Sequence, residues 1–141
     1  VRLRPETMGK SAMLGSLEDT LEMSRSVPGV EPCVDFAHLH ARPGDGSVNT
    51  YAEFAQALEQ IGAVLGTAGL TNLHIHLSGI AYGPKGEKEH LVLKDADLNY
   101  AELFKALFDF KCAGRILCES PVMEEDALVL KSTWCAISGE A

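Results

Sequence analysis

The residues of this sequence that are suited to chemistry are carboxylates and imidazoles placed directly after short apolar runs. In residues 32–42, an apolar run ends at Asp35, and His38 and His40 follow at once. Carboxylate and imidazole are ligands suited to zinc or manganese, so this stretch is a candidate metal site. Taken alone, it is equally consistent with a capping aspartate and two partly buried histidines.

Three further apolar runs end in a residue of the same kind, namely Glu6, His76 and Glu119. We interpret the runs as strands of one parallel sheet, whose carboxyl-terminal ends all lie on one side. Without a cation, the carboxylates gathered there would repel one another and their pKa values would rise. The sequence therefore predicts a divalent metal bound by Glu6, Asp35, His76 and Glu119. The alternative is a set of unrelated polar strand ends.

The remaining histidines form a second group of candidates. His38 and His90 lie in the loops after the second and third strands, so both can approach the same side of the sheet. His74 shares a strand face with His76 but lies one layer lower. That position suits a packed barrel histidine as well as a hydrogen-bond donor to a metal ligand. His40 and His74 are weaker candidates than His38 and His90.

Helix signals separate the strands. Capping boxes predict helices that begin after Ser16 and Thr50, and helical spacing of apolar residues predicts a third around residues 100–107. A fourth is predicted at residues 123–132, where acidic residues fill the first turn. We read residues 78–97 as a long polar loop of the functional or mobile kind. The predicted strands are residues 1–6, 33–35, 73–77 and 115–118.

Strand and helix alternate four times, which predicts an α/β fold with a parallel sheet. Four βα units make the C-terminal half of a (β/α)8 TIM barrel, whose usual length is ~250 residues. A small open α/β sheet is the other interpretation, although the sequence lacks G-x-G-x-x-G and P-loop signatures. We expect residues 1–141 to be a single domain that needs a preceding half-barrel or a second copy to cover its sheet edges.

Composition limits the class of protein. A net charge of −8 argues against nonspecific binding of nucleic acid by the whole surface. No apolar run is long enough to span a membrane and no signal-peptide pattern opens the chain, so we expect no membrane partner and a cytoplasmic location. The four cysteines lack CxxC spacing and predict free thiols. Because the chain starts without Met, inside an apparent strand, we expect a piece of a longer barrel.

Basic residues lie in the loops that follow the predicted strands, while much of the acidic surplus lies in helices. A basic rim around a metal centre suits an anionic substrate, above all phosphate. The alternative is that these loop residues are merely solvated. The rim residues are Lys10, Arg42, Lys85 and Lys88.

The motifs resemble those of the endonuclease IV family, zinc-dependent enzymes that cut DNA at abasic sites, within the wider xylose-isomerase-like barrel group. Residues 5–10 (PETMGK) are similar to the motif whose Glu bridges two metals, and residues 35–38 (DFAH) to its D-x-x-H motif. Residues 76–79 (HLSG) lie where the family has His-Leu-Asn-Asp, and residues 118–121 (CESP) resemble its final Glu-Thr-Pro. The resemblance covers essentially the whole chain, as the C-terminal half of the family's barrel.

The resemblance implies a role for each matched residue. The family's third zinc uses an Asp-x-His pair where this chain has Lys88 and His90, so Glu87 or Glu89 would have to replace the acid. The loop resembles an archaeal branch of the family, whose two further histidine ligands lie in the N-terminal half of the barrel. The implied metal ligands are Glu6, Asp35, His38, His76, His90 and Glu119, with Glu6 and Glu119 also catalytic and with Lys10 and Arg42 on DNA phosphates.

The function implied is metal-dependent phosphodiester hydrolysis at abasic sites in DNA repair, with two or three zinc ions and with manganese or magnesium as alternatives. A sugar isomerase or epimerase on the same barrel is the rival, because it takes one metal from Glu, Asp, His and Glu at four strand ends. The missing third-site acid favours that rival, whereas the basic loops and the pair His38 and His90 favour phosphate. A third hypothesis is a metal-stabilised binding module without catalysis.

Overall fold

The computed structural model describes residues 1–139, which form an α/β fold built on a parallel sheet. The helices are α1 (Leu17–Ser26), α2 (Phe36–Ala41), α3 (Tyr51–Leu70), α4 (Tyr100–Asp109) and α5 (Glu124–Ser138), with a 3-10 helix at Leu93–Asp95. The strands are β1 (Cys33–Asp35), β2 (Leu73–Leu77), β3 (Gly79–Gly83), β4 (Gly86–Leu91) and β5 (Gly114–Cys118).

The sheet has the order β1-β2-β5, and its neighbouring strands are parallel. The amino-terminal segment lies beside β1 and extends the parallel arrangement through bridges at Leu3 and Glu6. The regular strand predicted for residues 1–6 is therefore wrong in detail. Pro5 explains the break, since it has no N–H to donate at the ladder position between Leu3 and Thr7, both of which do donate to the neighbouring backbone.

The loop predicted for residues 78–97 is also wrong. Strands β3 and β4 form an antiparallel hairpin there, and the 3-10 helix follows. The segment 84–85 turns the chain, and Gly86 takes a φ of 92°, which favours glycine. Polar residues dominate β4 because most of that strand is exposed or half-buried, so its composition resembles that of a loop.

The helix signals predicted from the sequence are confirmed at their amino-terminal ends. Ser16 and Asp19 form a capping box on α1, and Thr50 and Glu53 form one on α3. Three helical features differ from the expectation. The short helix α2 occupies part of a predicted loop, α3 continues past a non-helical Gly66 to Leu70, and α5 extends to Ser138.

One side of the sheet packs on the helices. Leu73, Ile75 and Leu77 of β2 are buried in a single apolar core with Phe54 of α3 and Phe104 of α4. The core explains why β2 alternates strictly between buried and half-buried residues, since successive strand side chains point to opposite sides. No described helix is long and apolar enough to cross a membrane.

The opposite side of the sheet, here called the inner face, carries the polar and reactive side chains of the strands. In the parallel register Cys33 lies beside His74 and Asp35 lies beside His76, so these four share the inner face. Leu117 of β5 lies beside His76 on the same side and is 46% exposed. The parallel sheet backed by helices is the half-barrel that the sequence predicts.

The open edge of this half-barrel generates a prediction about association. Strand β5 ends the described sheet, and Leu117 presents exposed apolar surface beside that edge. We expect the chain to associate there with a complementary half-barrel or a second copy. Sedimentation velocity should show concentration-dependent association that Leu117→Lys weakens and that Val64→Lys, at an exposed position on α3, leaves unchanged. A compact, stable monomer at all concentrations would contradict this expectation.

Candidate metal centre

The structure brings the predicted strand-end residues to one point. Ligand atoms of Glu6, Asp35, His76 and Glu119 all lie within 4.8 Å of one another at the carboxyl-terminal end of the sheet. The imidazole of His76 is central to this group, since its Nδ1 lies 3.1 Å from Glu6 Oε1 and 3.1 Å from Glu119 Oε1. The structure thus brings together the four side chains that the sequence predicts at the strand ends, and their role as metal ligands stays a prediction.

The Asp35 carboxylate is the most constrained member of the group. Asp35 is 0% exposed, and its Oδ1 accepts a hydrogen bond from the His38 backbone N–H at 2.8 Å. Its Oδ2 has no hydrogen-bond partner among residues 1–139. Burial raises the pKa of the Asp35 carboxyl, an effect that the neighbouring His38 partly offsets. Because a buried carboxylate oxygen without a partner is costly, this atom fits a bound cation.

A second group contains the two histidines predicted as further ligands. His38, His90 and Asp35 have ligand atoms within 4.8 Å of one another. His38 Nδ1 lies 2.8 Å from the backbone oxygen of Thr7, and His90 Nδ1 lies 3.0 Å from that of Glu119. A carbonyl oxygen only accepts hydrogen bonds, so each Nδ1 must carry the proton. In the neutral rings each Nε2 therefore keeps a lone pair.

The spacing of these lone pairs is that of two ligands on one ion. The Nε2 atoms of His38 and His90 are 3.3 Å apart. Two nitrogens bonded at about 2.05 Å to a tetrahedral zinc ion would also be about 3.3 Å apart. Two facing lone pairs repel unless a proton or a cation lies between them. The donors present, imidazole and carboxylate, therefore fit a zinc-type ion at this second group as well.

The hairpin decides which acid stands near the second group. In the pairing of β3 with β4, Ala81 lies opposite Glu89 and Tyr82 opposite Glu87, so a bulge leaves Lys88 unpaired. Lys88 and Glu89 are both exposed. Glu87 is half-buried, and its Oε2 lies 3.6 Å from His38 Nε2. Glu87, and not Lys88 or Glu89, is therefore the residue of this strand whose side chain lies beside His38. Lys88 occupies only the sequence position of the acid in the Asp-x-His pair.

Gly9 permits the close approach of Glu87. A Cβ at Gly9 would lie 2.7 Å from Glu87 Oε2 and 3.1 Å from His38 Cδ2. The Gly9 backbone oxygen also accepts a hydrogen bond from the Glu87 N–H at 2.8 Å. The loop before α1 and the hairpin are thus joined at the edge of the site.

Two residues predicted to bind phosphate have different surroundings. Lys10 is exposed and its backbone forms a bridge with Gly86 at the hairpin turn. Arg42 instead holds the loop of residues 8–13, because its Nη1 donates to two backbone oxygens of that loop and its Nη2 to two more. These bonds occupy the terminal N–H groups of Arg42, so in this structure they are not directed at a substrate.

Several residues that position the site carried no clear sequence signal. Thr7 Oγ1 accepts a hydrogen bond from the Asp35 N–H at 2.9 Å and donates to the Asp35 backbone oxygen at 3.2 Å. Asp126 accepts from Ser120 Oγ and, at 2.8 Å, from the Leu93 N–H. Asp126 thereby ties the turn after Glu119 to the segment after the hairpin. The one signal in the sequence that could have indicated Thr7 is its position directly after the predicted ligand Glu6.

The remaining histidines lie outside the two groups described so far. His40 is fully buried, with Nδ1 2.7 Å from the Ser47 backbone oxygen and Nε2 3.0 Å from Asp97 Oδ1. Both nitrogens of His40 thus form hydrogen bonds, which join α2 to the loops that contain Ser47 and Asp97. His74 lies on the inner face one layer below His76, as its alternation predicted.

Comparisons with known proteins agree with this architecture. Residues 1–133 match the family described as xylose isomerase-like TIM barrel. An uncharacterized protein of Methanocaldococcus jannaschii is 44% identical over 130 residues, which are 92% of this chain and 47% of that protein. The crystal structure of AsfvAP:AG superposes with a TM-score of 0.63 and 15% identity, covering 99% of this chain and 53% of that one.

The two similar proteins differ in what they establish. The likeness to AsfvAP:AG, at 15% identity, shows a shared fold. This chain spans about half the length of both proteins, in agreement with its half-barrel architecture. On the family match and the 44% identity, the chain belongs to the xylose isomerase-like TIM barrel family.

Proposed function

We propose that the chain contributes the metal centre of a phosphodiester hydrolase that acts on DNA at abasic sites. The family includes endonucleases and isomerases, and its members often bind metals. The observation that favours the hydrolase is the second ligand group, in which His38 Nε2 and His90 Nε2 face each other at 3.3 Å. A centre for more than one metal suits phosphodiester chemistry, where ions neutralise charge on both sides of the phosphorus.

The chain's own residues divide between two ligand groups in this proposal. Glu6, His76 and Glu119 would hold one ion, and His38 and His90 another. Asp35 is buried between them, and its ligand atoms belong to both groups. When bound, such ions activate water as a nucleophile and stabilise charge on phosphate oxygens. In this proposal Glu6 and Glu119 also act in catalysis, because both lie beside His76 and are more exposed to a substrate than His76 is.

The hydrogen bonds behind the histidines support this division. The backbone oxygens of Thr7 and Glu119 fix the tautomers of His38 and His90, which leaves Nε2 of each ring as the free ligand atom. Partners of this kind orient metal-binding imidazoles and raise their basicity. Glu87 supplies the acid for the second group, in place of Lys88.

The substrate is proposed from the charges around the centre. Lys10, Lys85 and Lys88 are all exposed, and the bridge between Lys10 and Gly86 places them around the tip of the hairpin. A cluster of lysines beside a metal centre can bind a polyanionic backbone even though the whole chain is acidic. Arg42 takes a supporting part by fixing the loop that carries Lys10. The activity of the longer barrel and its partners belong to this proposal as well.

A sugar isomerase or epimerase remains the second candidate. The group of Glu6, Asp35, His76 and Glu119 is by itself sufficient for the single divalent metal that such an enzyme needs. It would use the two glutamates to move a proton at the carbon beside a carbonyl. The hydrolase and the isomerase therefore differ in whether the group around His38 and His90 binds a metal.

Metal content separates the two candidates. We expect two or more zinc or manganese ions per chain by elemental analysis, because the ligand atoms of each group lie within 4.8 Å of one another. His90→Ala and Glu87→Gln should each lose about one ion. Each should also lower cleavage of abasic DNA by about 100-fold or more, because losing only the outer partner of a metal ligand already costs up to about 100-fold. Glu89→Gln, on the same strand but exposed, is the matched control and should change neither quantity.

Other metal contents would point elsewhere. A single ion that is lost in Glu119→Gln but kept in His90→Ala would contradict the hydrolase and direct assays to sugar substrates. A chain that binds metal tightly but turns over neither class of substrate as a complete barrel would be a metal-stabilised module.

The buried carboxylate makes a prediction about stability. Because burial raises the pKa of Asp35 in the folded state, its charged form destabilises the fold as the pH rises through that pKa. In EDTA at pH 7, Asp35→Asn should therefore raise Tm, and the gain should vanish below the unfolded-state pKa of about 4. Zinc should stabilise the parent chain more than the variant, which lacks the Asp35 carboxylate.

The control for this experiment is Asp95→Asn, at an exposed position. Thermal unfolding followed by circular dichroism measures all of these differences. A lower Tm of Asp35→Asn in EDTA would mean that the carboxylate contributes to folding without a cation, against the role proposed for it.

The lysines at the hairpin tip make a prediction about DNA binding. Lys10→Ala should weaken binding of abasic duplex DNA and lower the slope of log K against log salt by about 0.9 for each phosphate that the lysine neutralises in the parent chain. Lys105→Ala, on α4 and paired with Glu102, is the matched loss of one positive charge. Equal effects of the two substitutions in a fluorescence anisotropy titration would show that Lys10 acts only through net charge.

A further inference from the structure

A third group of ligand atoms lies on the inner face, one layer below the centre described above. Cys33 Sγ and the imidazoles of His74 and His76 lie within 4.8 Å of one another. The parallel register creates this group, because Cys33 of β1 and His74 of β2 are neighbours across the sheet. Cys33 is 2% exposed, and both histidines are half-buried.

The two histidines present their nitrogens to each other as a chelating pair does. His74 Nε2 lies 3.3 Å from His76 Nε2, the spacing of two nitrogen ligands at about 2.05 Å from a tetrahedral zinc ion. The other nitrogen of His76, Nδ1, already lies 3.1 Å from carboxylate oxygens of Glu6 and Glu119. His76 therefore offers one nitrogen to the carboxylate group above and the other to the cysteine group below.

We propose that Cys33, His74 and His76 form an additional metal site of the zinc type. One thiolate and two imidazoles are soft to borderline ligands, which favour zinc over magnesium or manganese. The carboxylate-rich group above is a harder set of ligands, which accepts manganese as well as zinc. His76 would bridge the two sites as an imidazolate, with its remaining N–H proton released to solvent when both ions are bound. The fourth position of the lower ion would be filled by water or by an acid at the rim.

The charges near the lower group are mixed. Burial and the carboxylates of Glu6, Asp35 and Glu119 raise the pKa of the Cys33 thiol to about 12, so a thiolate here needs a bound cation. The same carboxylates attract a cation, whereas Arg4 repels it. Arg4 and Arg115 also act on His74. Arg4 is tied to Glu31 at 2.6 Å, which offsets part of its charge. On binding zinc, the Cys33 thiol releases its proton to solvent, and the thiolate offsets one of the two positive charges of the ion.

A metal at this position would act on the centre above it through His76. With Nε2 bonded to the lower ion, the ring can no longer rotate, and Nδ1 stays directed at Glu6 and Glu119. The alternative for the same geometry is a simple hydrogen bond between the two histidines. Only the metal site involves Cys33, so the cysteine distinguishes the two interpretations.

Cobalt(II) is the probe for this site, because a thiolate bonded to cobalt gives an intense near-ultraviolet charge-transfer band. We expect this band when the metal-free chain is titrated with cobalt, a loss of the band in Cys33→Ser, and a reduced band in His74→Ala. Zinc content should fall by about one ion in Cys33→Ser. Cys118→Ser, a partly buried cysteine, is the matched control and should keep the band.

The proposal does not depend on the hydrolase function, and Glu119→Gln keeps the two apart. That variant should lose metal from the carboxylate group and retain the cobalt–thiolate band. No band in the parent chain, or a band that survives in Cys33→Ser, would overturn the lower site while leaving the upper centre intact. Circular dichroism of Cys33→Ser confirms that the variant is folded, and native-like spectra with an unchanged metal content would also overturn the proposal.

Discussion

The buried carboxylate of Asp35 at the end of β1 is the constraint around which the rest of the site is arranged. Thr7 holds its backbone from the amino-terminal segment, and the first turn of α2 holds Oδ1 through the His38 N–H. Oδ2 is left without a hydrogen-bond partner among the described residues, with His38 Nδ1 3.6 Å away. A fold that desolvates a carboxylate oxygen without satisfying it loses stability unless a cation is present. This cost is the physical reason for expecting a metal here.

A common pattern of hydrogen bonds prepares the histidines. Backbone oxygens take the Nδ1 protons of His38 and His90, and carboxylates approach Nδ1 of His76. The rings of His38 and His90 are thereby oriented by one nitrogen while the other remains free for a ligand, whereas His76 belongs to two ligand groups. Two separate pairs of Nε2 atoms lie 3.3 Å apart, His38 with His90 and His74 with His76. Each pair has the spacing of two nitrogen ligands on one zinc ion.

The open half-barrel and the site depend on each other. The ligands lie at the carboxyl-terminal ends of parallel strands, where a complete barrel would add loops from its other half. Leu117, on the inner face of the last strand, is exposed because nothing in the described chain covers it. A complementary half would bury this surface and enclose the centre. Enclosure would also strengthen every electrostatic interaction around the ions.

Local patterns in the sequence determined the α/β class, the capping boxes of α1 and α3, the alternation of β2 and the strand-end residues Glu6, Asp35, His76 and Glu119. These features depend on neighbours within a few residues, so periodicity and cap chemistry reveal them. Tertiary structure decided the hairpin of β3 and β4, whose polar strand resembles a loop until its partner is known. It also decided that a bulge presents Glu87 rather than Lys88, and that Arg42 binds the loop of residues 8–13. The pairing of Cys33 with His74 arises only when two strands distant in sequence meet in register, because contacts across a sheet leave no trace in either strand alone.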